Sequence, residues 1–531
     1  MVWSRRTQLA VLAAILAAYL LLLGRALTYE FVWDDVREIQ HNTAFDRPLL
    51  DGLLQTQTAR TDPALTELST IELAYDSYRP LLFASLWIDV QLWGRSPAPL
   101  HAVNLVLGAI AILLAHALAR RWLGGPLALI PTALFALHPI QIEAVAYISG
   151  RGDVLAGMFA LLAGLGAVHA LDASARRPAA AWTALAAVAL AASLLSKEAY
   201  IGLPIVIASI ALVERRLRAR WWVPAILVAV CAGYLVARAA VVASTQGHAL
   251  RSGVLGLPGI WLDYLRIVAL PFDLSTERLR HPGYAVPGAL IAVAVLGAIA
   301  VLARRPTLAR DTRTAIVGLV WMGVLLAPAA VPIASTQVVA DRYFYAPMFG
   351  LALAATASLA RVAALRPRLL RPIAIIGALS GTMWLLVAWR QVPVWHDNRT
   401  LYLHAVEMSP DSSMAQYRVG YLDAQAGRWD EAIPRFERAI KLDPQNLVAL
   451  NNLGVGYLRT GQLDTAARVL AAAIAVNPAH FRAWLNLGLA QWSLGDRARG
   501  CASIARALEI HPGYASAVRE RQQRCDRPAS P

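Results

Sequence analysis

Charge is what this 531-residue sequence has least of: charged residues make up 16% of it against 58% hydrophobic ones, and its mean hydropathy is +0.50. A soluble fold of this size needs more surface charge, so a wholly soluble protein is a poor fit. Cysteine is scarce, at three residues. Cys231 lies inside an apolar run as a small packing residue. Cys501 and Cys525 fall in the final polar segment, where they can pair if that segment faces an oxidising compartment. No Walker loop, dinucleotide fingerprint, zinc-ligand spacing or nucleophile elbow occurs, which argues against a soluble nucleotide site. No basic, aromatic-interleaved element occurs either. The net charge of +15 therefore does not signal nucleic acid: the arginines cluster in short loops between apolar runs, as in membrane proteins.

The apolar excess is confined to residues 1–395, and polar residues intersperse regularly afterwards. Apolar stretches long enough to cross a bilayer occur near 7–28, 100–119, 126–145, 153–172, 179–196, 199–214, 221–242, 285–303, 313–333, 343–361 and 371–391. The expectation is an all-α bundle of about eleven spans, with 79–94 and 255–272 as interfacial or re-entrant stretches. The first run is read as a retained span, because no small-x-small cleavage site precedes the polar loop. Basic clusters at Arg5–Arg6, Arg120–Arg121, Arg176–Arg177, Arg215–Arg220, Arg304–Arg313 and Arg361–Arg371 fall at alternate span ends, which the positive-inside rule assigns to the cytoplasm. The acid-rich loop 29–78 then lies outside. With an odd number of spans, so does the region after 395.

That region, 396–531, repeats every 34 residues. Gly420, Gly454 and Gly488 recur at that period, as do Gly427, Gly461 and Gly495, Ala439, Ala473 and Ala507, and Pro444, Pro478 and Pro512. This is the tetratricopeptide pattern: small residues where paired helices cross, and a proline after each second helix. Repeats at 413–446, 447–480 and 481–514, preceded by a helix at 397–409, form a solenoid whose groove suits a polypeptide segment. Asn451, Asn452 and Asn486 lie on the groove-lining helices and are candidates for holding an extended peptide backbone.

Ionisable residues in the membrane half are functional candidates, since such groups are costly there. Asp34–Asp35, just outside the first span, offer a general base and a metal or substrate contact. His138-Pro139 with Glu143 precedes Ser149-Gly150-Arg151-Gly152-Asp153. There Arg151 suits a phosphate oxygen with Asp153 orienting it; the plainer alternative is an Arg151–Asp153 ion pair. Lys197 suits phosphate, or else Lys197 and Glu198 neutralise partners within the bundle. Asp341-Arg342-Tyr343 opens the tenth span, and Tyr78-Arg79-Pro80 carries a comparable arginine. All these groups fall at outer span ends.

Trp33-Asp34-Asp35 with Asn42, Tyr78-Arg79-Pro80, Leu100-His101-Ala102-Val103-Asn104, His138-Pro139 with Glu143, Gly150-Arg151-Gly152-Asp153, Ser196-Lys197-Glu198 and Asp341-Arg342-Tyr343 occur in that order. The ordered set, followed by the repeats, resembles the transmembrane and tetratricopeptide-repeat-containing O-mannosyltransferases of the GT-C glycosyltransferase superfamily, here with an Arg- and Ala-rich composition that points to a bacterial member. The resemblance implies an inner-membrane enzyme that moves a sugar, mannose in the family, from a polyprenyl-phosphate donor to a Ser or Thr hydroxyl of a polypeptide, with inversion. In that picture Asp34 or Asp35 is the base, and Arg79, Arg151, Lys197 and Arg342 face the donor phosphate. Glu143 supports the base or a metal, His138 orients Glu143 or binds the sugar, and Asp153, Glu198 and Asp341 are further supporting residues. No cofactor is required, although the carboxylate pair permits a divalent metal. The competing expectations are a non-catalytic membrane scaffold recruiting partners through its repeats, and a transporter of lipid-linked saccharide, which would place charges near the bilayer midplane.

Overall fold

The computed structural model describes residues 3–54, 78–241, 247–303, 308–336 and 338–526. The part of the first loop at 55–77, with Asp62, Glu67, Glu72 and Asp76, lies outside the described residues. Among the described residues the chain is helical, and its one extended pairing is an isolated bridge between Leu279 and Val338. It divides into two compact units between Leu401 and Tyr402.

The first unit is an apolar helical bundle, as expected of a multi-pass membrane protein. Eight helices among the described residues are long and apolar enough to cross a bilayer: Arg5–Thr28, Pro97–Leu123, Ile148–Asp172, Arg176–Ser196, Trp222–Val241, Arg310–Ala334, Asp341–Leu365 and Pro367–Trp395. A ninth arises if the pair Pro126–Leu137 and Pro139–Ala146, bent by 52°, is one span. Eight of the eleven stretches expected from hydropathy correspond to these helices. Pro139 breaks the third candidate, because its ring cannot continue the helix, and the candidate at 199–214 becomes a shorter apolar helix, Glu198–Val213. The candidate at 285–303 forms the helix Ala285–Ala303. Apolar side chains such as Val188, Val228, Val236, Leu379 and Leu386 remain exposed on the bundle's outer faces, the disposition a hydrocarbon solvent requires.

The ends of these helices sort by chemistry. At one end Arg121 binds Asp172 and Glu214, and Arg310 donates to the Arg121 carbonyl, so expected cytoplasmic loops meet there. The Asp34–Asp35 segment and the starts of the 148–172 and 341–365 helices gather at the other.

The second unit begins within the helix Asn398–Met408 and holds the pairs Ser413–Gln425 with Trp429–Leu442, Leu447–Arg459 with Leu463–Val476, and Phe481–Ser493 with Arg497–Ile510. Gly427, Gly461 and Gly495 take φ of 76°, 78° and 93° at the turn inside each pair, a conformation that a Cβ disfavours. Phe436, Leu453, Leu470 and Leu487 join a continuous core across repeats, which no single repeat could bury. The closing helix Ala515–Arg524 is tied to the last repeat by a Cys501–Cys525 disulfide. Replacing Cys501 and Cys525 by serine is expected to destabilise this end by about 3 kcal/mol, since the bond closes a loop of 24 residues. Limited proteolysis of the full chain checks this, with earlier cleavage near 510–526 as the expected result.

Candidate active site

The break at Pro139 builds the site. The helix Leu129–Leu137 stops, and the short helix Ile142–Ala146 presents Glu143. Tyr147 is extended, and Arg151–Asp172 restarts with Asp153 in its first turn. A Cβ on Gly150 would stand 2.5 Å from the Ala144 carbonyl oxygen, so only glycine fits this corner. Asn104 braces the same corner: its amide donates to the carbonyls of Tyr147 and Ile148, each at 3.2 Å.

Onto this corner folds the Trp33-Asp34-Asp35 segment, and its two carboxylates part company. Asp35 is fully buried. Its Oδ1 accepts the Ser149 backbone N–H at 2.7 Å and the Ser149 hydroxyl at 2.6 Å, and its Oδ2 lies 3.4 Å from the Val32 N–H. Burial pushes the Asp35 carboxyl up to about 7, opposed by the hydrogen bonds from Ser149 and Val32 and assisted by the neighbouring Asp34 charge. Because this value stands above that of the unfolded chain, the stabilisation is complete in acid and is lost as pH rises from about 4 to about 7. Hydrogen exchange of residues 31–40 is therefore expected to quicken across that window, beyond its intrinsic pH dependence, and an Asp35→Asn variant to lack the extra change.

Asp34 points outward, with its side chain 34% exposed. Its Oδ2 accepts the Tyr147 hydroxyl at 3.1 Å, and its Oδ1 is 3.9 Å from Arg37. The turn that separates it from Asp35 is made at Trp33, whose φ is 54°. That strained backbone is held by the Asn398 side-chain oxygen, which accepts the Trp33 N–H at 2.7 Å. The Trp33 ring stacks on Tyr147 and meets the Arg342 guanidinium at 5.1 Å.

Three cations cluster around Asp153, and Arg342 links them to this segment through the Trp33 ring. The Arg342 guanidinium and its backbone N–H both bind Glu143, and its Nε is 3.9 Å from Asp153. Lys197 Nζ reaches both Asp153 oxygens at 2.6 and 2.7 Å and lies 5.1 Å from the Tyr343 ring. Arg79 grips Glu198 through two hydrogen bonds, at 3.2 and 2.9 Å. The side chains of Arg342, Lys197 and Arg79 keep 17%, 11% and 27% of their surface open. The result is a cluster of donors fixed by carboxylates and partly open, joined to the Asp34 segment where Arg342 meets the Trp33 ring. Such an arrangement can take a proton and stabilise a departing anion.

Other candidates stand elsewhere. Arg151 is fully buried, and its donors go to Asp89 at 2.5 Å, Asn104 Oδ1 at 2.7 Å and the Leu100 carbonyl at 2.9 Å. It is a structural cation: Asp153 neither orients it nor pairs with it. His138 uses Nδ1 to accept the Ile140 N–H and Nε2 to donate to the Val268 carbonyl, rather than orienting Glu143. Asp341 turns inward onto Arg278 at 2.7 Å. Among the described residues no three His, Cys, Asp or Glu side chains gather around a point as metal ligands would. In the repeat unit, Asn486 donates to the Asn451 side chain at 3.0 Å, and Asn452 reaches the Tyr417 hydroxyl at 3.3 Å and the Val448 carbonyl at 2.9 Å. The asparagines thus form part of a polar row along the first helices. Sequence reasoning overlooked Tyr147, Asn398 and Arg278. Tyr147 stood between two flagged motifs, but nothing local marks Asn398, which comes 365 residues after its partner Trp33.

Tetratricopeptide-repeat models match residues 423–487 and 481–514. The chain is 36% identical over 165 residues to the protein O-mannosyl-transferase TMTC1 of Homo sapiens, covering 30% of this chain and 18% of that one. To TMTC1 of Mus musculus it is 34% identical over 178 residues, covering 32% and 18%. A Caenorhabditis elegans protein O-mannosyl-transferase, F38B6.6, is 28% identical over 170 residues, covering 30% and 22%. The match thus spans about a fifth of the length of these curated relatives.

Proposed function

We propose that this chain, a relative of the tetratricopeptide-repeat protein O-mannosyl-transferases, is a GT-C-type membrane glycosyltransferase that moves mannose from a polyprenyl-phosphate donor to a Ser or Thr hydroxyl. The observation that carries the reading is Asp34: an accessible carboxylate, oriented by Tyr147, on a segment whose Trp33 meets Arg342, the cation that clusters with Lys197 on Asp153. A hydroxyl is a weak nucleophile and needs a base in reach as the new bond forms. Asp34 accepts its proton while the hydroxyl oxygen bonds to the anomeric carbon from the face opposite the phosphate. The carbon–oxygen bond to phosphate breaks, polyprenyl phosphate leaves with the electron pair, and configuration inverts. Arg342, Lys197 and Arg79 stabilise that charge. The apolar bundle accommodates the lipid tail, and the asparagine row of the repeats suits an acceptor backbone.

The site end of the bundle, opposite the basic cluster at Arg121, is assigned to the outer face of a bacterial inner membrane. The Cys501–Cys525 bond supports the same side for the repeats. Purified full-length protein given polyprenyl-phosphate sugars and Ser/Thr-rich peptides tests the reading. Peptide glycosylation seen by mass spectrometry supports it, while peptide capture without glycosylation from any donor favours the scaffold.

A further inference from the structure

We propose that Tyr147 is a positioning residue that fixes the Asp34 carboxylate toward the acceptor hydroxyl, an inference that rests on the transfer reading above. Its ring is 3% exposed and lies between two indoles, with Trp33 and Trp395 each stacked at 5.5 Å. Its backbone carbonyl accepts the Asn104 amide. Three distant segments therefore immobilise one phenol, and the single group left to aim is its hydroxyl, which donates to Asp34 Oδ2 at 3.1 Å. Asp34 is otherwise loosely held, since Arg37 approaches its second oxygen only to 3.9 Å. The other charges facing this point are Asp35 beside it and Arg342 across the Trp33 ring. A catalytic base must be held within a narrow range of angles to the proton it takes, and an exposed aspartate on a loop lacks that restraint by itself. The Trp33–Tyr147–Trp395 stack supplies it. Arg342 also lies over the Trp33 ring, at 5.1 Å, so the same stack carries both the base and a cation for the leaving group.

Tyr147→Phe keeps the stack and removes only the hydroxyl. The full-length variant is expected to lose tenfold or more in kcat, with KM for donor and peptide changed by less than twofold. A second readout needs no turnover: carbodiimide labelling of Asp34 in detergent-solubilised protein, followed by peptide mass spectrometry, becomes several-fold faster in the variant. Tyr147→Leu, which breaks the stack as well, loses thermal stability that the Phe variant keeps. Wild-type kcat and labelling rate in Tyr147→Phe overturn the proposal. Absence of transfer by the wild type counts against the transfer reading alone, and labelling still decides whether Tyr147 holds Asp34.

Discussion

Asp34→Asn is expected to lower transfer by about a thousandfold, the midrange for loss of a general base, while Asp35→Asn costs at most tenfold. The adjacent residues look equivalent in sequence, but their surroundings separate them. Asp34 keeps a third of its side chain open and receives one hydrogen bond, from Tyr147. Asp35 has no exposed surface and accepts two hydrogen bonds from Ser149, so no acceptor hydroxyl reaches it. An asparagine at 35 can still accept both Ser149 bonds through its side-chain oxygen, and it resembles the neutral carboxyl that burial favours. An asparagine at 34 keeps the shape but has no basic oxygen. Rates at saturating donor for the two single variants, with membrane insertion checked in each, give the comparison. Equal losses would mean that the pair acts as a unit.

Arg151→Met is expected to prevent stable folding of the membrane half, a loss of about 3–5 kcal/mol, because it leaves Asp89 buried and uncompensated. The guanidinium links three parts of the chain, through Asp89 on the helix Pro80–Trp93, Leu100 and Asn104 on the helix Pro97–Leu123, and its own helix. Asn104, held by Arg151, in turn fixes the corner that carries Tyr147 and Ser149. Removing both charges in Arg151→Met with Asp89→Leu is expected to recover much of the thermal stability, since a buried ion pair contributes little beyond a well-packed apolar pair. Thermal unfolding in detergent distinguishes these variants from Arg79→Met, whose partner Glu198 is 39% exposed, and which is expected to fold and to lose turnover. If Arg151→Met folds normally and only its donor affinity falls, Arg151 is a ligand contact after all.

How far the sequence alone led varies with the range of the interaction. The 34-residue period fixed the repeats, because each glycine, alanine and proline answers to a local need of a helix pair. Lys197, one of only two lysines in the chain, and Arg342 stood out as charges at span ends, and the fold does bring them together around Asp153. Arg151 stood out in the same way, yet a buried structural cation and a ligand-binding one look alike until their partners are known. The choice between Asp34 and Asp35 depends on a left-handed Trp33 held by Asn398, a contact between distant parts of the chain. Hydropathy does not register the bend at Pro139, which is the bend that presents Glu143 and Tyr147.

One measurement bears on the whole reading: purified protein with polyprenyl-phosphate mannose and a Ser/Thr peptide, the product followed by mass spectrometry and the anomeric linkage by NMR. One hexose on the peptide hydroxyl, with configuration opposite to the donor's, formed by wild type and Asp35→Asn but not by Asp34→Asn, is the expected result. Retained configuration, or product formed undiminished by Asp34→Asn, would contradict it.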